Sequence, residues 1–256
     1  MEELNKRKQY KGIIRYDGTA FHGWQFQPNK KTVQGELEKY LSLILRREIK
    51  VQGASRTDAG VHALGQVFTF YYDNEIPSNL CYPLSQLLSP HAKAMEIVEV
   101  PLEFDVCRDV KHKKYCYAFD LSREPDPFTI HYAWHIPYII DINMLQKLLP
   151  ELVGTHDFAG FQSSGSQMET TVRTLFSVEL KKGGVVEPFD EKNLWQIEFI
   201  GNGFLYHMVR NITGTLIEIA RGRYTKEFLL QCLYENKKFK GLCAPPQGLF
   251  LIEIKY

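Results

Sequence analysis

One short segment of the sequence concentrates the residue types that reactive loops use. It is the run Gly53-Ala-Ser-Arg-Thr-Asp-Ala-Gly-Val-His62, and Gly65-Gln66-Val67 follows it closely. Strand-like segments on both sides place Arg56 and Asp58 at the end of a sheet, where loops on a rigid scaffold usually carry reactive groups. Local physics leaves two interpretations open: a reactive carboxylate, or an aspartate that merely closes an Asx-type turn before Gly60.

Two further segments carry groups with a possible chemical use. The apolar stripe of a helix predicted over 204–221 leaves Tyr206, His207, Arg210 and Gly214 on a neighbouring stripe. An arginine there is usually solvated, but beside a carboxylate it would hold that group ionised by lowering its pKa. In the strand-like run 113–117, alternation puts Tyr115 and Tyr117 on one face, where the rings either belong to the core or stack on nucleic-acid bases.

The elements that must position these residues follow the same order twice along the chain. In the first half, residue patterns predict strands over 9–16, 49–55, 66–72 and 96–100, a helix capped by Thr32 and a helix over 80–88. In the second half they predict strands over 113–121, 174–180, 194–200 and 249–254, with helices after Asp141, over 204–221 and over 226–234.

This repeated β-α-β-β-α-β order predicts an α+β protein built of two ferredoxin-like units, with antiparallel sheets and a cleft between them. We place the N-terminal domain, which carries Asp58, at residues 1–104. The C-terminal domain, at residues 105–256, is expected to complete the cleft. Fold alone does not fix a function, so the function has to come from the residues at the site.

Composition limits the class of protein. Hydrophobic residues make up 44% and charged residues 24%, which is ordinary for a globular protein. Without a long apolar run or a secretory signal, we predict a cytoplasmic protein that does not bind membranes. The five scattered cysteines are interpreted as reduced thiols with packing roles. The sequence has no dinucleotide fingerprint, P-loop or metal-ligand cluster, so we expect no cofactor and no metal.

A net charge of +1 gives no compositional argument for a nucleic-acid partner. Several short lysine and arginine clusters are present, among them Lys30-Lys31 and Arg46-Arg47. Each is either part of a solvated surface or part of a basic patch that binds phosphates. The sequence does not decide between these interpretations, because it does not show whether the clusters share a face.

Taken in order, the motifs resemble the tRNA pseudouridine synthase A family. The resemblance extends over nearly the whole chain and its longest, most specific part is the run Arg56-Thr-Asp-Ala-Gly-Val-His62. The other matching segments are Tyr16-Asp-Gly18, Gly23-Trp-Gln25, Thr32-Val-Gln34, Tyr115-Cys-Tyr117, Gly154-Thr-His-Asp-Phe158, His207-Met-Val-Arg-Asn211 and Pro246-Gln-Gly-Leu-Phe-Leu251. Together they favour the reactive interpretation of Asp58 over the turn-only one.

The resemblance implies three catalytic residues. Asp58 matches the nucleophile of the family, Tyr115 the tyrosine that stacks on the target base, and Arg210 the arginine that pairs with the aspartate. It also implies a reaction, the isomerisation of uridine to pseudouridine at positions 38, 39 and 40 in the anticodon stem-loop of tRNA. The alternatives are a non-catalytic RNA-binding protein and a pseudouridine synthase that acts on other uridines.

The same resemblance implies substrate-binding residues and a quaternary structure. Arg56 matches the arginine associated with extruding the target nucleotide, Leu249 an apolar residue that lines the pocket, and His62 a substrate-binding residue beside them. Tyr115 is expected to bind substrate as well as to take part in catalysis. Family members are homodimers in which both subunits contact one tRNA, so we expect a homodimer.

The sequence departs from the family pattern at three places, one of which is the stretch Ser89 to Glu96. Ser55 stands where the family has glycine, which replaces one small residue by another. The family's F-x-A-R pattern becomes Phe104-Asp-Val-Cys107, and an arginine follows one place late at Arg108. Whether Arg108 takes over the missing arginine's role is a question for the structure.

Overall fold

The chain forms two compact units in the computed structural model, which describes residues 7–165, 169–186, 193–235, 237 and 241–256. The first unit contains the residues up to Lys111 together with Leu251–Tyr256, and the second contains His112–Phe250. The division thus follows residue 111, where the sequence suggested 104, and the last six residues belong to the first unit.

The first unit has the element order expected for the first half of the chain. Its elements are β1 (Lys8–Tyr16), α1 (Val33–Leu45), β2 (Val51–Gly53), β3 (His62–Tyr72), α2 (Cys81–Leu88) and β4 (Ala92–Val100). β1 lies between β4 and β3, β2 pairs with β3, and all these pairings are antiparallel. β3 begins at His62, four residues before the predicted start, so the run that contains Asp58 leads directly into a strand.

Local sequence explains the first helix of this unit. The Thr32 hydroxyl oxygen accepts a hydrogen bond from the backbone N–H of Gly35 at 3.3 Å, as an N-cap residue should. Val33, Leu37, Leu41 and Leu45 recur at helical spacing and are buried. The helix ends where Arg46 adopts a left-handed conformation, with φ 53°.

The second unit contains more elements than the expected repeat. They are β5 (His112–Asp120), β6 (Trp134–His135), α3 (Ile142–Leu148), β7 (Gly154–Asp157), β8 (Val172–Lys182), β9 (Leu194–Gly201), α4 (Met208–Ala220) and α5 (Lys226–Tyr234). The antiparallel order is β5-β9-β8-β7, and β6 pairs with β5 in parallel. The last strand, β10 (Leu249–Lys255), starts in this unit and continues into the first.

The start of α4 differs from the prediction. A helix over 204–221 was expected, but the helix begins at Met208, because His207 sits in the left-handed region with φ 61°. Leu205 is buried although it precedes the helix, so its apolar character reflects packing of a loop. Tyr206 and His207 therefore do not lie on the helix. The predicted stop is correct, since Gly222 has φ +80°.

Both units are mixed α+β structures with helices packed on predominantly antiparallel strands. Among the described residues, no helix is both long enough and apolar enough to span a membrane. Cys116 and Cys232 are buried, Cys81 and Cys243 are partly buried, and Cys107 is exposed. Burial therefore confirms the packing interpretation for Cys116 and Cys232.

Candidate functional site

The loop that carries Asp58 joins β2 to β3 in the first unit. Asp58 is partly buried, Arg56 is exposed, and Thr57 between them is 7% exposed. The backbone oxygen of Asp58 accepts a hydrogen bond from Val61 N at 3.2 Å, and Gly60 takes the left-handed conformation. A turn that contains Gly60 is thus present, and the Asp58 backbone oxygen accepts its closing hydrogen bond.

Two glycines of the preceding segment press against this loop. A Cβ atom at Gly18 would lie 2.1 Å from the oxygen of Val61. Gly23 has φ +89°, and a Cβ there would lie 2.8 Å from the Thr57 oxygen and 3.2 Å from the Asp58 carbonyl carbon. Only glycine allows so close an approach of two backbones. The motifs Tyr16-Asp-Gly18 and Gly23-Trp-Gln25 therefore hold the loop from both ends.

A buried hydroxyl pair adds a side-chain contact to this backbone packing. The hydroxyl oxygens of Tyr16 and Thr57 lie 2.7 Å apart, and both residues are buried. The Thr57 backbone oxygen also accepts a hydrogen bond from Trp24 N at 3.0 Å. The Tyr16 ring packs against Phe21 and Trp24, with centroids 6.0 Å and 6.4 Å away. The residue before Asp58 is thereby fixed through both its side chain and its backbone.

His62 lies behind the loop, where β3 begins. Its side chain is 2% exposed, and its Nδ1 lies 3.1 Å from Gly18 N and 3.4 Å from an oxygen of Asp17. Burial alone would raise the pKa of Asp17, but the hydrogen bonds from His62 and Thr19 outweigh it and hold that pKa well below its ordinary value. His62 and the Asp17 carboxylate thus support the segment that contacts the loop.

In the second unit, the two tyrosines of β5 are both buried. Tyr115 is 6% exposed, and its ring meets the edge of Phe204 at a centroid distance of 4.9 Å. Tyr117 is fully buried and donates a hydrogen bond to the Pro245 oxygen at 2.7 Å. Burial raises the pKa of Tyr117, and the nearby charge of Arg210 acts in the opposite direction. Tyr117 is thus a core residue, and Tyr115 keeps only a small exposed fraction.

Arg210 lies in the first turn of α4 and is tied to the segment that leads to β10. Its Nε donates a hydrogen bond to the Ala244 oxygen at 2.8 Å, and its backbone oxygen accepts one from Ala244 N at 3.2 Å. Just after Ala244 in the chain, a turn over Pro246–Gly248 leads to Leu249, which is 7% exposed. The fold therefore links two of the predicted site residues, Arg210 and Leu249, through one short segment.

The motif His207-Met-Val-Arg-Asn211 contains two polar anchors that sequence reasoning did not single out. Asn211 is buried and its amide donates to the Phe161 oxygen at 2.8 Å and to the Ser163 hydroxyl at 3.2 Å. The His207 Nδ1 lies 3.0 Å from the same hydroxyl. An asparagine beside the apolar stripe was the available signal, since a buried amide needs partners. These contacts fix the N-terminus of the helix that carries Arg210.

The structure also shows what stands in place of the family's F-x-A-R arginine. The Cys107 sulfur lies 3.6 Å from the Gly53 oxygen and 3.8 Å from the Gln52 amide nitrogen, beside β2. The Arg108 side chain is 89% exposed, and its nearest described carboxylate is that of Asp105 at 3.8 Å. Arg108 thus points into solvent, and the thiol makes the contacts with β2.

Comparison with known proteins matches this arrangement to one family. The family model described as tRNA pseudouridine synthase matches residues 13–107 and 149–256. A tRNA pseudouridine synthase A of Acetivibrio thermocellus is 38% identical over 251 residues, which covers 97% of this chain and all of that protein. The protein of the same name from Listeria welshimeri is 37% identical over 252 residues, covering 97% and 99%.

Similarity to solved structures is more remote. A crystal structure of the archaeal box H/ACA sRNP Nop10-Cbf5 complex aligns with 82% of this chain and 43% of that one, at 11% identity and a TM-score of 0.33. The family assignment therefore comes from sequence.

The chain is an α+β protein with a constrained loop that carries an aspartate, and its sequence matches a family of RNA-modifying enzymes. It is therefore an enzyme of that class. The chain belongs to the tRNA pseudouridine synthase family. Pseudouridine synthases are isomerases, and the reaction class predicted from the motifs is confirmed.

Proposed function

We propose that the enzyme isomerises uridine to pseudouridine at positions 38, 39 and 40 in the anticodon stem-loop of tRNA, with Asp58 as nucleophile and without a cofactor. The observation that carries the proposal is the match to tRNA pseudouridine synthases over nearly the whole chain. The matched sequence includes the loop in which Asp58 is partly exposed. The contacts of Gly18, Gly23 and Tyr16 support it, because a nucleophile has to be held in a fixed position.

The reaction explains why a carboxylate suffices. Conversion of uridine to pseudouridine breaks the N-glycosidic bond and joins C5 of the same base to the same sugar carbon. Nothing is oxidised overall and no group is gained, so the chemistry requires no redox partner. A carboxylate can attack the sugar carbon as in glycosidases, promote loss of the base as a glycal, or attack the base ring. All three routes begin with an ionised Asp58.

The remaining site residues are assigned by the chemistry that follows bond cleavage. The detached uracil has to rotate without escaping, which calls for apolar walls and a stacking ring. Tyr115, which packs against Phe204 and is 6% exposed, is proposed as that ring, and Leu249 as a wall. A base in a stem or loop must first be flipped out, at a cost of a few kcal/mol. Exposed Arg56 is proposed to occupy the gap.

Two further assignments complete the set. Arg210 is proposed as a catalytic residue, and its bond to Ala244 supports this by fixing the guanidinium. His62 is proposed to assist substrate binding from behind the loop, through Asp17 and Gly18.

The proposal extends to architecture and assembly. The strand order β4-β1-β3-β2 of the first unit supports a ferredoxin-like description, and we infer the same ancestry for the second unit. The N-terminal domain is proposed to carry the nucleophile and the C-terminal domain the tyrosine and arginine. We also propose a cytoplasmic homodimer in which both subunits contact one tRNA. Light scattering of the free and tRNA-bound enzyme measures that assembly.

The decisive experiment replaces Asp58 with asparagine. The amide keeps the shape of the side chain but is a far weaker nucleophile, so release of tritium from tRNA carrying 5-tritiated uridine should stop. Binding of tRNA should persist, since other contacts remain. Asp141→Asn, which alters an exposed helix cap in the second unit, is the control and should keep full activity. Near-normal turnover by Asp58→Asn would contradict the proposal.

A second measurement separates the two alternatives. A protein that only binds RNA would release no tritium in its unaltered form. A synthase acting on other uridines would release tritium but would leave positions 38, 39 and 40 unmodified. Mapping pseudouridine in tRNA from cells that lack this enzyme, before and after treatment with it, shows which uridines change.

A further inference from the structure

We propose that Tyr16 is a positioning residue for the catalytic loop and that it acts through the hydroxyl of Thr57. The inference rests on the proposed role of Asp58 as nucleophile. Tyr16 lies on β1, away from the loop in sequence, and its hydroxyl oxygen is 2.7 Å from that of Thr57. Thr57 immediately precedes Asp58, so a fixed Thr57 restricts the backbone from which the nucleophile projects.

The burial of both hydroxyl groups makes the contact directional. Tyr16 is 5% exposed and Thr57 is 7% exposed, so water competes poorly for either group. The β-branched threonine has few χ1 rotamers, and the bond to Tyr16 selects one of them. Because the Tyr16 ring is wedged against Phe21 and Trp24, its hydroxyl is a rigid reference point.

Backbone contacts restrict the loop but do not hold the side chain of Thr57. Trp24 N bonds to the Thr57 oxygen, and Gly23 touches the backbone on both sides of Asp58. These contacts limit how far the loop backbone can move. The hydroxyl pair holds the side chain of Thr57, and so resists rotation of the peptide that leads into Asp58.

Tyr16 itself takes no chemical step, because its hydroxyl is buried in the first unit. A positioning role for Tyr16 predicts a particular kinetic result. Loss of the hydroxyl pair should slow the reaction of bound tRNA and should leave tRNA binding nearly unchanged. A displacement of a reacting group by a fraction of an ångström to 1 Å costs about tenfold to 100-fold in rate.

The test compares Tyr16→Phe, Thr57→Val, the double variant and Thr57→Ser. Single-turnover rates are measured by tritium release at saturating enzyme, and tRNA affinity is measured separately. We expect Tyr16→Phe and Thr57→Val each to slow the reaction by about tenfold or more, with affinity changed by less than about twofold. The double variant should be no slower than either single variant, because the two groups act as one unit. Thr57→Ser keeps a hydroxyl and should therefore retain most of the rate of the unaltered enzyme, unlike Thr57→Val.

Tyr10→Phe is the matched control. Tyr10 also lies on β1, is 2% exposed, and donates its hydroxyl to the Asn74 backbone oxygen at 3.0 Å. The Tyr10→Phe variant therefore loses a comparable hydrogen bond, but at a position remote from the loop. Its free energy of unfolding should fall in the same way as that of Tyr16→Phe, with the single-turnover rate unchanged.

Three results would overturn the inference. They are an unchanged rate in Tyr16→Phe, losses that multiply in the double variant, and an equal rate loss in Tyr10→Phe. Asp58→Asn is assayed alongside. If Asp58→Asn is inactive and Tyr16→Phe is normal, the positioning role alone fails; if Asp58→Asn remains active, the proposed nucleophile fails independently of Tyr16.

Discussion

At the scale of single residues, the loop around Asp58 depends on neighbours whose chemistry is not part of the reaction. Asp17 is one of them, since its carboxylate accepts hydrogen bonds from Thr19 N at 3.0 Å and lies 3.4 Å from His62 Nδ1. The adjacent residue, Gly18, packs against Gly60 and Val61. A change in the charge of Asp17 should therefore affect the segment that holds one end of the loop.

Asp17 makes the stability of the protein dependent on acid. Its pKa in the folded protein lies below the ordinary value of 3.8, so the folded state favours the ionised form of Asp17. The stabilisation is fully present above about pH 5, where Asp17 is ionised in both states, and is lost as the pH falls below the unfolded pKa. Asp17→Asn should weaken the fall in free energy of unfolding between about pH 5 and 3.

Urea unfolding at a series of pH values measures this effect. The comparison is between the slopes of stability against pH, because the asparagine variant is also expected to be less stable near neutrality. An equally steep acid-side slope in Asp17→Asn and the unaltered protein would show that Asp17 does not contribute.

At the scale of elements, α4 is packed on all sides, since every residue of Met208–Ala220 except Arg210 is buried. One side of it carries the apolar residues Met208, Val209, Ile212 and Leu216. Another side approaches the segment 242–244 so closely that a Cβ at Gly214 would lie 1.7 Å from the Leu242 oxygen. This approach brings Ala244 within hydrogen-bonding distance of Arg210.

Gly214→Ala should therefore destabilise the protein, although alanine normally favours helix formation over glycine by about 1 kcal/mol. The backbone clash has to be relieved by moving the helix or the segment, which costs about 1–3 kcal/mol or more. The free energy of unfolding measures the loss. Gly35→Ala, in the first turn of α1, is the comparison, because the atoms nearest its Cβ would belong to the side chains of Thr32, at 2.9 Å, and Phe26, at 3.3 Å, and not to the backbone. A Gly214→Ala protein as stable as the unaltered one would contradict the packing described here.

The elements also show where sequence reasoning succeeded. Caps and apolar periodicity located α1, α3 and α5, because Thr32 and Asp141 sit just before regular apolar stripes. Strands rich in β-branched or aromatic residues were also located, because that composition is itself a local signal. The two-residue strand Trp134–His135 and the polar strand Gly154–Asp157 were missed, since neither shows alternation. Their pairing depends on long-range contacts that a local pattern does not contain.

The candidate site was predictable to a different degree. Asp58, Tyr115 and Arg210 could be proposed because they lie in motifs, and motifs are local; their roles stay predictions. The supporting contacts were not, because Tyr16 and Thr57, or Asn211 and Ser163, become neighbours only through the fold. The start of α4 was misplaced for a related reason: apolar spacing reports burial, and Leu205 is buried without being helical.

At the scale of the whole molecule, an enzyme of net charge +1 has to bind a polyanion. Binding therefore requires that positive charge be segregated from negative charge. The acidic run Glu187 to Glu191 is a candidate for the surface remote from the RNA, and it lies outside the described residues. Lys30 and Lys31, suggested as phosphate contacts, are both exposed, and the Lys31 ammonium lies 5.1 Å over the Phe21 ring.

If these lysines contact phosphates, tRNA affinity should fall log-linearly with salt, and Lys30→Ala with Lys31→Ala should flatten the slope by roughly one unit per lost contact. A matched control is Lys39→Ala with Lys50→Ala, since each of these lysines lies within 4.0 Å of a carboxylate of its own unit. The control should leave the slope nearly unchanged. A flat salt dependence of the unaltered enzyme would rule out charge segregation as the basis of binding.

The return of residues 251–256 to the first unit has a consequence for how the protein is made. Within that unit, the Lys255 oxygen accepts a hydrogen bond from Lys111 N at 2.8 Å, and Tyr256 donates to the Val106 oxygen at 2.8 Å. Residues 112–250 must be translated before these partners exist. At about 5–20 residues per second, the ribosome holds an incomplete first unit for many seconds. During that interval, the exposed strand edge of the incomplete first unit is the expected binding site for a chaperone. It is also where a stalled chain would be most prone to aggregate.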